Sequence, residues 1–195
     1  MNKLHKIAID INEANVQNRV GTGQYTFHIL KRLASLAPNV EFHLYHRDEL
    51  RSELPIASVN WVYHHVGPSR GWLNLGLPLN LLLTGSKYDA FWSPAHYTPS
   101  YIGSPSVVTI HDLAYEYFPD LFLPSDLYKL KNWTRRAVAK ARKVIAVSEA
   151  TKQDLVKLYA TDPSKITVVH NGYDSDIFNL KSPVNDNILK SYLLN

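Results

Sequence analysis

The stretch "VVTIHDLAYEYFP", residues 107–119, opens as a buried strand and then changes character. Val107, Val108 and Ile110 are apolar and β-branched, the composition of a strand covered on both faces. His111 and Asp112 follow at once. Open parallel sheets place their ligands beyond the carboxyl ends of the strands, so an imidazole and a carboxylate at that point project into a crevice rather than the core. The competing reading is local: the histidine closes a loop while Asp112 bonds backbone amides.

Working outward, short apolar runs alternate with helical patterns. Strands are expected at Lys6–Ile11, Val40–Tyr45, Val59–Tyr63, Ala90–Trp92, Val107–Ile110, Val144–Val147 and Ile166–Val169. Helices are expected at Gly23–Ala37, near Trp72–Leu83, at Ser125–Ala141 and at Glu149–Tyr159. In the third helix Leu127, Leu130, Trp133 or Thr134, Ala137 and Ala141 form an apolar stripe, with Ser125 or Asp126 as the start signal. In the fourth, Ser148 is a natural N-cap and Leu155 and Leu158 face inwards. Strands separated by helices imply βαβ units. The fold class is therefore α/β: a Rossmann-like, doubly wound, mostly parallel sheet with helices on both faces. Residues 1–178 form this domain. Residues 179–195, polar around Pro183 and then apolar from Ile188, are expected to be a linker or the start of a further domain.

The totals narrow the function classes. A chain of 195 residues buries one sizeable core, and 45% hydrophobic with 19% charged residues is ordinary globular composition. There is no cysteine, which removes disulfides and thiolate metal sites and leans towards a reducing compartment. The apolar run in "MNKLHKIAIDIN" is broken by Asp10, and "WLNLGLPLNLLLTG" is too short and too polar to span a bilayer. The chain is thus expected to be cytoplasmic, with peripheral membrane contact left open. A net charge of +4 falls short of a dedicated nucleic-acid binder, so no nucleic-acid partner is expected. The segment "YKLKNWTRRAVAKARK" does carry seven cations and no acid. It is either a solvated helix face or a surface for anionic lipid or a phosphorylated acceptor.

Other strand ends supply further candidates. Gly21 and Gly23 flank Thr22 just before a helix expected to start near Gln24, where free N–H groups suit an anion. Thr26 stands where the dinucleotide fingerprint needs its third glycine. Ser148 follows the strand at Val144, and capping alone accounts for it. His170–Asn171–Gly172 ends the last strand; Asn–Gly is a turn signal, and its position makes it a candidate hinge. The loop "FWSPAHYTPSY", residues 91–101, offers His96 and rings suited to a sugar, a lipid or simple packing. Neither His64–His65 nor His111–Asp112 has metal-ligand spacing, so no metal site is expected. GxSxG and P-loop motifs do not occur.

Four stretches in order, "GTGQYTFHILKRLA", "VVTIHDLAYEYFP", "RKVIAVSEATKQDL" and "KITVVHNGYDSDIF", resemble the N-terminal domain of retaining glycosyltransferases of the GT-B fold, the family 4 group. The His–Asp step followed by a proline-containing segment looks most like mannosyltransferase-type members. The resemblance implies a nucleotide-sugar donor as substrate, no cofactor, and a glycan or glycolipid acceptor. It implies that Gly21, Thr22 and Gly23 lie near the donor diphosphate and acceptor. It also implies that His111 sits beside the transferred sugar as a neutral imidazole, with Asp112 orienting the loop or the ring. Ser148 and Asn171 would lie at the cleft edge, and Gly172 near the crossover. Tyr173 departs from the small aliphatic residue common in the group. The donor-binding C-terminal GT-B domain, in cis or in trans, is the implied partner, and the 195 residues alone are expected to be inactive. Two other classes stay open: a non-catalytic Rossmann-like module pairing with a separate chain, and a nicotinamide oxidoreductase, which the missing glycine disfavours.

Overall fold

The computed structural model describes residues 5–54, 60–67, 70–85, 87–175 and 178. Seven strands form one sheet: β1 (His5–Asp10), β2 (Val40–His46), β3 (Trp61–His65), β4 (Ala90–Ser93), β5 (Ser106–Ile110), β6 (Lys143–Ala146) and β7 (Ile166–Val168). Their order is β3-β2-β1-β4-β5-β6-β7, and every neighbouring pair is parallel. The chain winds outward from β1 in one direction and from β4 in the other. The topological switch point therefore falls between β1 and β4. The expected strands all form, with ends shifted by one or two residues; Val59 and the segment 179–195 lie outside the described residues.

Helices cover both faces. They are α1 (Gly21–Leu36), α2 (Leu77–Thr84), α3 (Ala114–Tyr117), α4 (Pro124–Lys140) and α5 (Glu149–Tyr159). Ala8 and Ile9 are neighbours on β1, point to opposite faces, and are both fully buried. Ile9, Ile11, Leu44 and Phe42 pack with Leu30 of α1. Ala8, Tyr45 and Phe91 pack with Trp72 and with Leu77 and Leu81 of α2. Across the other half of the sheet, Val108, Ile110, Val144 and Ala146 pack with Ala137 and Val138 of α4 and Leu155 of α5.

Three details of the expected helices are corrected. The second begins as a single π-helical turn, Trp72–Gly76, and becomes α-helical only at Leu77; Gly85, left-handed at φ 59°, closes it. The third starts at Pro124 itself, with no side-chain cap from Ser125 or Asp126. Proline suits the first helical position because its φ is already set and its missing N–H has no helical partner to lose. The first helix starts at Gly21, so the glycine pair forms its opening turn rather than a loop ahead of it: Gln24 N–H already bonds the Val20 carbonyl at 3.0 Å.

Candidate active site

At the switch point, the carboxyl ends of β1 and β4 and the turn before α2 enclose a cleft of about 260 Å³. Its charged lining comprises Asp10, Glu13, Arg47 and Lys129, and its rings are Trp72, Tyr97 and Trp133. Asp10 ends β1, and one of its oxygens accepts from both the backbone N–H (3.0 Å) and the side-chain amide (2.7 Å) of Asn12. Burial pushes its pKa up to about 6, against those two hydrogen bonds, which hold it down. Trp133 meets Tyr97 edge to face at 5.6 Å. Carboxylates, cations and the half-buried rings of Tyr97 and Trp133 in one hollow form a hydroxyl-rich ligand's natural complement.

His111 stands one strand further along, behind Pro94. Its Nε2 lies 2.8 Å from the Pro94 carbonyl, which can only accept, so the proton is on Nε2. Burial holds its pKa below the ordinary imidazole value, opposed by the Pro94 bond and the charge on Asp112. The ring is thus neutral near pH 7, and Nδ1 keeps its lone pair to accept a hydroxyl. Two rings pack against it. Tyr25 of α1 sits edge-on to the ring with centroids 4.8 Å apart, and His96 lies at 5.5 Å. Helix α1 and the His–Asp step therefore meet on one side of the sheet.

Asp112 orients the loop and not the imidazole. Its Oδ1 accepts from the N–H of Ala114 at 2.9 Å, and the residue is exposed. Ser148 is the N-cap of α5, accepting from Thr151 N–H at 3.1 Å. The Thr151 hydroxyl in turn donates to the His111 carbonyl at 3.1 Å, so α5 begins against the histidine's own backbone. Asn171 and Gly172 are exposed on the segment after β7. That segment runs back towards α1, where His28 Nδ1 approaches Asp174 Oδ2 at 3.9 Å.

The glycine turn has a clear structural task. A Cβ built on Gly23 would stand 2.5 Å from the Glu13 carbonyl oxygen, whereas one on Gly21 would meet nothing within 4 Å. Gly23 lets the start of α1 close onto the loop that delivers Glu13 to the cleft. Gly21, Thr22 and Gly23 do not themselves line that cleft, nor do Ser148, Asn171 and Gly172.

Sequence reasoning missed Asp10, Glu13, Arg47, Tyr25 and Trp133 as site residues. For Asp10 the signal was present: a carboxylate at the carboxyl end of a buried strand, the pattern that singled out His111–Asp112. His96 is buried, and it takes a left-handed φ of 42° with its Nδ1 unpartnered. Burial first, then repulsion from His111, lowers its pKa to about 4, with Asp112 opposing. Among the described residues no group of three His, Cys, Asp or Glu could hold a metal ion.

The fold matches that of solved glycosyl-transfer enzymes. The structure of Anabaena HepE in complex with UDP-glucose superimposes with a TM-score of 0.54 at 19% identity, covering 96% of this chain and 49% of that one. The HepE complex with UDP gives 0.55 at 18% identity, with 97% and 50% covered. WaaG, a glycosyltransferase involved in lipopolysaccharide biosynthesis, gives 0.55 at 15% identity, with 96% and 51% covered. The chain thus spans about half the length of these structures, and its architecture is that of the N-terminal half of a GT-B enzyme. The sequence matches the Glycosyltransferase Family 4 model over residues 20–177, and the chain belongs to that family. Among curated proteins none matches it significantly.

Proposed function

We propose that this chain is the acceptor-side half of a retaining, mannosyltransferase-like enzyme that moves a sugar from a nucleotide-sugar donor to a glycan or lipid-linked acceptor. The observation that carries the reading is the cleft at the switch point, where Asp10, Glu13 and Trp133 face a common hollow one strand from the neutral His111. Membership of family 4 supports the reaction class, and the HepE complexes support a nucleotide-sugar donor by analogy of fold.

In this reading the acceptor sugar stacks on Trp133 and Tyr97, with its hydroxyls on Asp10 and Glu13. The Nδ1 of His111 accepts a hydroxyl of the transferred sugar and orients it, leaving the ring's proton on Nε2 throughout. Positive ends of α1 and α5 face the same side, where charge develops on the leaving phosphate. No cofactor enters; the donor is a substrate. The donor-binding half acts in cis or in trans, and the 195 residues alone do not turn over.

The test measures transfer of labelled sugar from nucleoside diphosphate sugars with this chain alone and with a GT-B donor half joined to it. Transfer only in the joined protein, lost on the order of 10²-fold in His111→Ala, supports the reading. Turnover by the 195 residues alone overturns the half-enzyme assignment, and full activity of His111→Ala overturns the role of the histidine.

A further inference from the structure

Helix α2 is apolar on both sides. Leu77, Pro78 and Leu81 fill the core, yet Leu75, Leu79, Leu82 and Leu83 stand 64%, 51%, 57% and 82% exposed. These four recur at the i, i+4, i+7, i+8 spacing of one helical face, and no charged residue interrupts the helix. A helix greasy all round is ordinarily enclosed, so something covers the outer face in use.

The surroundings identify that cover by charge. Helix α4 lies alongside: Arg136 donates to the Asn74 side chain at 3.1 Å, and Lys140 to the Ser100 carbonyl at 3.3 Å. Ser100 itself bonds the carbonyls of Leu73 and Asn74, so both cations flank the first turn of the leucine face. Arg70 and Lys87 bracket the element in sequence. No acid occurs between Glu53 and Asp89 or between Asp126 and Glu149. A second copy of the chain would set like charges against each other around such a patch. An anionic lipid surface would take the leucines into its interface and the cations onto its headgroups.

We infer that the α2 face docks this protein on anionic membranes, with Leu75, Leu79, Leu82 and Leu83 inserted at the headgroup boundary and Arg136 and Lys140 on lipid phosphates. The same turn that exposes Leu75 lines the cleft with Trp72, Leu73 and Asn74, so docking sets the cleft beside the bilayer. The inference does not depend on the proposed transfer reaction, because its test reads binding alone.

The experiment is flotation of the 195-residue chain with phosphatidylcholine vesicles, with and without phosphatidylglycerol. Wild type is expected to float with the anionic vesicles and to stay down with pure phosphatidylcholine. Leu79→Ser/Leu83→Ser is expected to weaken partitioning at least about tenfold. Arg136→Gln/Lys140→Gln should weaken it by roughly fivefold per cation removed. Circular dichroism and thermal midpoints check that these substitutions, three at exposed positions and one at the half-buried Arg136, leave the fold intact. Wild type remaining down with phosphatidylglycerol, or a folded leucine variant floating as wild type does, overturns the inference. So does sedimentation showing that the leucines hold a dimer and nothing floats.

Discussion

The ring of Tyr25, four residues into α1, stands perpendicular to His111, with centroids 4.8 Å apart. This contact joins the helix that follows β1 to the end of β5, two strands away, and packs a ring against an imidazole whose burial holds its pKa down. Tyr25 is held in turn by a side-chain bond to Thr109, whose hydroxyl also accepts from Trp92 at 3.0 Å.

Removing that ring exposes the imidazole. Tyr25→Ala is therefore expected to raise the His111 pKa towards the ordinary histidine value, and Tyr25→Phe to leave it near its wild-type position. Titration of the ring nitrogens by NMR reads this directly. An unchanged His111 pKa in Tyr25→Ala would show that other neighbours supply the burial.

The two glycines of the opening turn separate by their surroundings. Gly23→Ala pushes a methyl against a backbone oxygen that cannot swing away, and about 1–3 kcal/mol of destabilisation is expected. Gly21→Ala meets open space and should be neutral or stabilising by up to about 1 kcal/mol, because alanine loses less entropy in a helix. Urea unfolding of both variants checks the contrast.

Ser148 tests capping against binding. Ser148→Ala removes the acceptor for Thr151 N–H and should cost about 1 kcal/mol of stability. Thr151→Val should cost a similar amount by leaving the part-buried His111 carbonyl without its hydroxyl donor. Equal stability of Ser148→Ala and wild type in thermal unfolding would leave the serine available for a ligand role instead.

Two groups give stability opposite dependences on pH. His96 is held below its unfolded value, so its contribution is complete above about pH 6.5 and is lost as pH falls through about 4, some 3 kcal/mol in all. Asp10 is held above its unfolded value, so its contribution is complete below about 3.8 and is lost as pH rises through about 6. The two slopes oppose each other across nearly the same window. His96→Asn, which keeps a residue tolerant of positive φ, is expected to become more stable on acidification relative to neutral pH. Asp10→Asn should show the reverse, read from denaturant midpoints between pH 4 and 7.

The sequence by itself determined the strands, the covering helices and the parallel order of their connections, because each rests on local periodicity and on short apolar runs. The position of His111 at a strand end was legible for the same reason, as was the Ser148 cap. Tertiary structure alone decided which strand ends are neighbours. Strand order places β4 beside β1, and that pairing puts the cleft between Asp10 and Tyr97 rather than at His111 itself. It also decided what Gly23 is for, since the Glu13 oxygen that forbids a side chain there belongs to a loop folded back across α1. The outward leucines of α2 looked in sequence like the inward ones. Only the packed fold, by burying one side against Tyr45 and Phe91, left the other side bare.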